Sequence, residues 1–363
     1  MRLDWIQLHR FRCYSELRFV PDPGVNLLIG ENGAGKTSLL EGIGYLSSLS
    51  SFRNVPDAEL VAEGEEVAAV RGSIGREESP SLVEVEIRRR GGRRALLDRT
   101  RLQRSSDLLG VVRVVTFLPD DLDLVKRGPG YRRDLLDSTA VQLWPGSHAD
   151  QAEFERALRQ RNAFLRAGVP DETTLAVWDE RLALAGGRVM ARRAQCARAL
   201  SERLGGAYRA VAGSGPDVAL VYRSEWGADL DPSVGATEWA AMLVERLRGR
   251  RREDFERRQT STGPQRDEPV FLLDGHDIRF RGSQGEQRTL ALAVRLATHT
   301  AVEEVVGVTP LLVLDDVFSE LDEKRSRALA DALPTAQTFI SSARPEDVPV
   351  RGRVWSVTRG AVR

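Results

Sequence analysis

The chain has 363 residues, enough for one to three domains with a full core, and it carries 53 basic and 53 acidic residues, so net charge names no oppositely charged partner. Only Lys36, Lys126 and Lys324 are lysines, an arginine bias from which no function follows, and the two cysteines, Cys13 and Cys196, are too few for a disulfide framework or a zinc site and fit a reducing cytosol. Met1-Arg2-Leu3-Asp4-Trp5 opens no apolar signal region and no run approaches the ~18 apolar residues of a membrane span, so a soluble, cytoplasmic protein without a membrane partner is expected.

In chain order, the first 120 or so residues read as strands joined by tight turns. Val25-Asn26-Leu27-Leu28-Ile29 is a short apolar strand, and Ser38-Leu39-Leu40-Glu41-Gly42-Ile43 starts a helix. Between them Gly30-Glu31-Asn32-Gly33-Ala34-Gly35-Lys36-Thr37 fits G-x-x-x-x-G-K-[ST], the phosphate-binding P-loop, in the strand–loop–helix setting it requires. Its glycines let successive N–H groups converge on phosphate oxygens at the positive end of a helix. Lys36 is expected to reach the β- and γ-phosphates of ATP and Thr37 to ligate Mg²⁺. The plainer alternative is a glycine turn before an ordinary helix, which leaves the Lys-Thr pair at this offset unexplained.

Further on, Leu82 to Ile87 alternates as a strand, and Gly91-Gly92 marks a hairpin tip. Eight arginines against the single acid Asp98 lie between Arg88 and Arg104, with Arg88, Arg89, Arg90, Arg93 and Arg94 around the tip. That excess is either a solvated face or a contact for the DNA phosphate backbone, salt-dependent and without base reading. From 122 to 265 the pattern turns mainly helical. Leu184 to Tyr208 reads as one long helix with a kink at Gly186-Gly187. Seven arginines between Arg246 and Arg258 interleave with Glu253, Asp254 and Glu256, which favours a solvated helix face.

After residue 268, strand and helix alternate again. Pro310-Leu311-Leu312-Val313-Leu314-Asp315-Asp316 is an apolar run closed by two acids. It reads either as a core strand ending in a helix N-cap or as a buried parallel strand delivering carboxylates to the ATP site. In the second case Asp315 holds Mg²⁺ through water, and Asp316 orients or deprotonates the attacking water. Upstream stands Ser283-Gln284-Gly285-Glu286-Gln287 before an apolar helix; downstream stands Ser319-Glu320-Leu321-Asp322.

A Ser-x-Gly-x-Gln signature, a helix, an acid-terminated strand and Ser-x-Leu-Asp, in that order, resemble the ABC-type ATPases. The resemblance implies that Ser283 and Gly285 act in trans, capping the γ-phosphate on a second subunit, so that an ATP-dependent homodimer closes head-to-tail around two nucleotides. Between Thr37 and Ser283 lie 245 residues, which implies a sizeable insertion. The expected fold is α/β: an SMC-head-like P-loop ATPase lobe from residues 1–121 and 266–363, with a compact, mainly helical lobe of residues 122–265 inserted. About 145 residues without sustained heptads exclude a long coiled coil.

Within the ABC-type ATPases the chain resembles the RecF-like family of the chromosome-maintenance and DNA-repair branch. The segments that carry this are Leu8 to Tyr14, Asn26 to Thr37, Ser51-Phe52-Arg53, Phe117 to Leu122 with Val125-Lys126 and Arg132 to Asp137, Thr262 to Asp267, and Leu314 to Asp322. Cys13 and Gln265 depart from the family's usual Asn and His. Asp316 stands where most ABC ATPases place Glu, which implies weak hydrolysis suited to a switch. No histidine follows the next strand, so Ser341 or Ser342 is expected to meet the γ-phosphate. Gln265 and the Pro119-Asp120 junction are both candidates for the Q-loop. The resemblance implies an ATP-gated, DNA-binding protein of replication and recombinational repair with recombination-mediator partners at gapped DNA. The competing classes are a transport ATPase subunit and an ATPase fused to a nuclease. The inserted lobe weighs against the first, and the chain's end about forty residues after Asp322 weighs against the second.

Overall fold

The computed structural model describes residues 1–75, 79–168 and 171–363. In chain order its elements are β1 (Arg2–Phe11), β2 (Tyr14–Phe19), β3 (Val25–Ile29), α1 (Lys36–Ser48), β4 (Val67–Gly75), β5 (Ser81–Arg88), β6 (Arg93–Leu97), β7 (Thr100–Arg101), β8 (Val114–Phe117), α2 (Pro129–Leu143), α3 (Ser147–Ala167), α4 (Glu172–Ala212), β9 (Val218–Arg223), α5 (Ala236–Arg257), β10 (Glu268–Leu273), β11 (His276–Asp277), α6 (Ile278–Arg281), α7 (Gln284–Val306), β12 (Leu311–Asp315), α8 (Glu323–Ala332), β13 (Thr338–Ser342), β14 (Arg353–Thr358) and β15 (Ala361–Val362). They form two units. The first holds Met1–Asp123, Gly206–Gly215 and Arg288–Arg363; the second holds Leu124–Gly205 and Pro216–Gln287.

The first unit contains two six-stranded sheets. One is antiparallel in the order β2-β1-β4-β5-β6-β7. Along β5, Val83, Val85 and Ile87 are buried while Glu84 and Glu86 stay half-exposed, the alternation of a sheet with one wet face. The other runs β15-β14-β3-β13-β12-β8, parallel from β14 to β8. Here Leu311, Leu312, Val313 and Leu314 are all fully buried, as a parallel strand covered on both faces requires. Helix α1 packs against β1 and β4 of the first sheet and β8, β12 and β13 of the second. It is buried nearly all round, and Leu39, Leu40, Ile43 and Leu46 are sealed in this core, each contributing about 2 kcal/mol of burial.

The second unit combines helices with the antiparallel sheet β11-β10-β9. The expected long helix is longer, α4, and it passes through Gly186-Gly187 without interruption. Gly187 serves close approach: a Cβ there would stand 2.3 Å from the Ala236 carbonyl oxygen and 2.7 Å from the Ala240 nitrogen on α5. Arg161, fully buried on α3, bonds Asp179 of α4 at 2.8 Å, Asp254 of α5 at 2.7 Å and Thr260 at 2.9 Å. Removing one partner of such a buried set costs about 3–5 kcal/mol, so the network fixes how the three helices meet. Part of the arginine-rich α5 is a solvated, self-paired face, where Arg248 meets Glu245, Arg250 and Arg257 meet Glu253, and Arg252 meets Glu256, whereas Arg251 meets the buried Asp179 of α4. Residues 266–287, which sequence places with the ATPase lobe, cluster in this unit because β10 pairs with β9 and with no strand of the six-stranded sheets.

Candidate nucleotide site and basic surfaces

The parallel sheet gathers the loops after β3, β12 and β13 at its C-terminal edge, where open α/β sheets bind ligands. The register sets Asp315 beside Ser341 and Ser341 beside Leu28. The loop after β3 curls through Gly35 at φ 114°, and a Cβ there would stand 2.8 Å from the Tyr14 hydroxyl and 3.0 Å from Cys13 Sγ. Only glycine satisfies both the positive φ and that space. Glu31, Asn32 and Gly33 are exposed; Ala34, Gly35 and Lys36 are buried.

Lys36 Nζ donates to the carbonyl oxygens of Gly30 at 2.5 Å and Glu31 at 3.0 Å, curling back over its own loop. Burial holds its pKa below the ordinary lysine value, against the opposing pull of Asp316 and Asp315. The Thr37 hydroxyl donates to Asp315 Oδ1 at 3.0 Å, and the Ser341 hydroxyl donates to the same oxygen at 2.7 Å. Burial raises the Asp315 pKa; those two hydrogen bonds lower it, Asp316 raises it, and the exposed guanidinium of Arg53 lowers it. Ser341 also accepts from the Asp316 amide at 3.0 Å, so it positions both acids rather than standing free for a phosphate. Ser342 accepts from the Arg344 amide at 3.4 Å. Asp316 is left-handed, at φ 52° and ψ 25°, and its buried Oδ1 has no hydrogen-bond partner among the described residues.

This donor set fits a magnesium–nucleotide complex. One carboxylate and one hydroxyl, 3.0 Å apart, are hard oxygen ligands, and Mg²⁺ in phosphate sites is held by one or two such groups plus phosphate and water. Among the described residues no cluster of three or more His, Cys, Asp or Glu could hold a metal alone. When bound, the ion would neutralise phosphate charge beside Thr37 and Asp315.

Residues in segments to which motif reasoning gave no role brace this loop and the helix after it. The Tyr14 hydroxyl donates to the Gly35 carbonyl at 3.1 Å, and burial raises its pKa. Arg12 grips the fully buried Glu41 of α1 with Nε at 2.7 Å and Nη2 at 2.9 Å, and Ser51 also donates to Glu41. The signal was an acid inside the apolar run Leu39-Leu40-Glu41-Gly42-Ile43. Ser51 in turn accepts from the Arg53 amide at 3.0 Å, tethering the loop that carries Arg53.

The signature stretch opens α7. Ser283 and Glu286 form a capping box: the Ser283 amide and hydroxyl donate to Glu286 Oε2 at 2.8 and 2.7 Å, and the Glu286 amide donates back to the hydroxyl at 3.3 Å. Ser283 is exposed and Gly285 half-exposed, while Gln287 is buried and donates to the carbonyls of Ile278 and Gly282. Gln265 folds back to donate to the Thr262 carbonyl at 2.8 Å.

The arginine hairpin forms as β5 and β6, with positive φ at Gly91 and Gly92. Its charge is less free than composition implied. Arg88 pairs with Glu86, Arg93 reaches Asp57 at 3.3 Å, and Arg89 donates to the carbonyls of Val61, Ala62 and Glu65. Arg90 and Arg94 are exposed with no acidic partner among the described residues, as are Arg99 and Arg101 near the β6–β7 turn.

A P-loop, a hydroxyl-bound aspartate at the end of the adjoining-but-one strand, a second acid after it and a capped signature helix define an ABC-type ATPase head. Comparison with known proteins narrows the class. The family described as RecF/RecN/SMC N terminal domain matches residues 2–360. The DNA replication and repair proteins RecF of Streptomyces avermitilis and Kineococcus radiotolerans are 36% and 38% identical; each match covers the whole chain and 99% and 100% of the relative. A solved RecF–ATP structure, a recombination mediator protein of the RecFOR pathway, superposes with TM-score 0.88 at 29% identity over 99% of this chain and 98% of its own. An Smc head bound to the C-winged helix domain of ScpA shares the fold, with TM-score 0.55 at 14% identity over 100% and 96%. The chain belongs to the RecF family. Among the described residues no helix is long and apolar enough to cross a membrane.

Proposed function

We propose that this chain is an ATP-gated DNA-binding protein of replication and recombinational repair. ATP and Mg²⁺ bind at Gly30 to Thr37 and Asp315, and two copies then close head-to-tail, each presenting Ser283 and Gly285 to the nucleotide of the other. The closed dimer clasps the DNA backbone, and slow, DNA-stimulated hydrolysis through Asp316 releases it. Arg90 and Arg94 are the hairpin's DNA contacts, while Arg88, Arg89 and Arg93 brace the hairpin. Recombination-mediator proteins are the expected partners at gapped DNA, by likeness to the RecF of the RecFOR pathway.

The observation that carries this reading is the Thr37–Asp315–Ser341 chain, with Asp316 held beside it by the Ser341 hydroxyl. It supplies a metal ligand pair and an unpaired carboxylate oxygen but no histidine, a site built to hold ATP longer than to turn it over. Gel filtration with ATP, Mg²⁺ and duplex DNA tests it. A dimer that forms only with ATP and retains DNA is expected. Elution as a monomer under all conditions, with nucleotide demonstrably bound, would refute the clamp.

A further inference from the structure

Arg351, Arg353, Arg359 and Arg363 lie within residues 351–363, which contain no Asp or Glu. All four are exposed, and none forms an ion pair with a described residue. On α5, by contrast, exposed arginines find glutamates one turn away. An arginine bias alone fills a surface with paired charge; it does not explain a strip from which acids are missing.

The strip is also rigid. β14 and β15 form a hairpin that turns at Arg359-Gly360, and Ser356 and Arg363 exchange backbone hydrogen bonds at 2.7 and 2.9 Å. At about 3.3 Å per residue, Arg353 and Arg359 stand about 10 Å to either side of that pair. Three charged positions therefore mark about 20 Å of ribbon. Arg353 lies 5.3 Å over the Trp355 ring; Trp355 is fixed in turn by its N–H bond to Asn26 Oδ1 at 3.0 Å and by edge contact with Phe19 at 5.0 Å. A stacked guanidinium loses less freedom when it meets a ligand. β15 runs against β2, whose exposed Arg18 is stacked 4.7 Å over Trp5.

We propose that the β14–β15 hairpin is a nucleic-acid backbone contact, separate from the arginine hairpin of β5–β6. β15 meets the antiparallel sheet at its β2 edge, whereas β5 and β6 lie toward its β7 edge. β2 and β6 are four strand intervals apart, about 19 Å, with Glu84 and Glu86 on β5 between them. Unpaired guanidinium groups spaced along a ribbon without an acidic side chain match an extended polyanion better than a small ligand. The inference does not rest on the ATP-gated clamp: it concerns binding without nucleotide.

The test is fluorescence anisotropy of a short labelled duplex across a salt series, without nucleotide, on the full chain carrying Arg351→Gln, Arg353→Gln, Arg359→Gln and Arg363→Gln together. Each lost phosphate contact takes about 0.9 from the slope of log K against log salt, so the slope should flatten by up to about 3.6 and affinity at low salt should fall at least roughly tenfold. Melting temperature and ATP affinity should be unchanged. A variant with unaltered melting, slope and affinity overturns the proposal, as does loss confined to a parallel Arg90→Gln, Arg94→Gln variant. In the unaltered protein, duplex DNA should protect these four arginines from phenylglyoxal, read by mass spectrometry. Protection by a polyglutamate peptide and not by DNA would overturn it in favour of an acidic protein partner.

Discussion

Ser341→Ala isolates the hydroxyl that organises both acids. Ser341 is fully buried, donates to Asp315 at 2.7 Å and accepts from the Asp316 amide at 3.0 Å. Losing the donated, charge-assisted bond costs about 1.5–3 kcal/mol, and losing the amide bond costs about 1 kcal/mol. Asp316 sits in a left-handed conformation that costs a non-glycine residue roughly 1–2 kcal/mol, so without its tether the backbone relaxes and the carboxylate moves. The loss should fall mainly on turnover: about 2.7–4.1 kcal/mol on the chemical step is a 10²–10³-fold fall in kcat. Asp315 loses one of the two bonds that restrain its raised pKa, so MgATP affinity should weaken too, by about tenfold. Phosphate release at saturating MgATP gives kcat, a fluorescent ATP analogue gives Kd, and thermal melting controls for folding. A variant that melts like the wild type and keeps kcat within about threefold would refute the role given to Ser341.

Lys36→Ala should abolish ATP binding with little change in melting, because Lys36 bonds only its own loop carbonyls; normal affinity in the folded variant would sink the P-loop assignment. Asp316→Asn should bind ATP, cut turnover on the order of 10²–10⁴-fold and accumulate a closed dimer, and wild-type hydrolysis would place the base elsewhere. Ser283→Arg should bind ATP yet fail to dimerise, and mixing it with Lys36→Met should recover some ATPase from the one composite site left intact; Ser283→Arg dimers with full turnover would leave Ser283 as a helix cap only. Asp267 accepts from Tyr222 at 2.6 Å, and burial raises its pKa to about 6, above an unfolded value of about 3.9. Folding thus favours the protonated acid, so its contribution is complete below about pH 4 and is lost as pH rises through 6. Chemical denaturation should find the stability difference between wild type and Asp267→Asn shrinking by up to about 3 kcal/mol between pH 4 and 7, and a constant difference would exclude Asp267 as the titrating group.

The α/β class, the P-loop strand and helix, the acid-terminated strand and the arginine hairpin were legible because each rests on local pattern. Five consecutive buried residues ending in Asp315, or alternation from Leu82 to Ile87, need only neighbours in sequence to be read. What pattern could not supply was pairing across the chain. Ser341 meets Asp315 from 26 residues away, and Arg12 meets Glu41 from 29, through strand order that no local window contains. The same blindness inflated the hairpin charge. Arg89 reads as free in sequence, yet its guanidinium is spent on three backbone carbonyls of the loop at 61–65. The boundary of the ATPase lobe depended likewise on β10 choosing β9 as its partner.

The hydrogen bonds made by Lys36, Thr37 and Ser283 bear on the proposed gating. Lys36 spends its charge on the Gly30 and Glu31 carbonyls, Thr37 is bound to Asp315, and Ser283 is bound to Glu286 in its capping box. In the proposed mechanism, each of these groups would exchange a protein partner for a phosphate or metal partner when ATP enters. The exchange is favourable only for a ligand that supplies enough charge to replace them all. In the proposed dimer, a nucleotide without its γ-phosphate would offer Lys36 fewer acceptors and would give Ser283 of a second copy nothing to cap, so both groups would keep their internal bonds. A ligand shifts an equilibrium only by its differential affinity for the two states. Under the proposed clamp, that difference would be set by the γ-phosphate, which would draw on Lys36 in one subunit and Ser283 in the other.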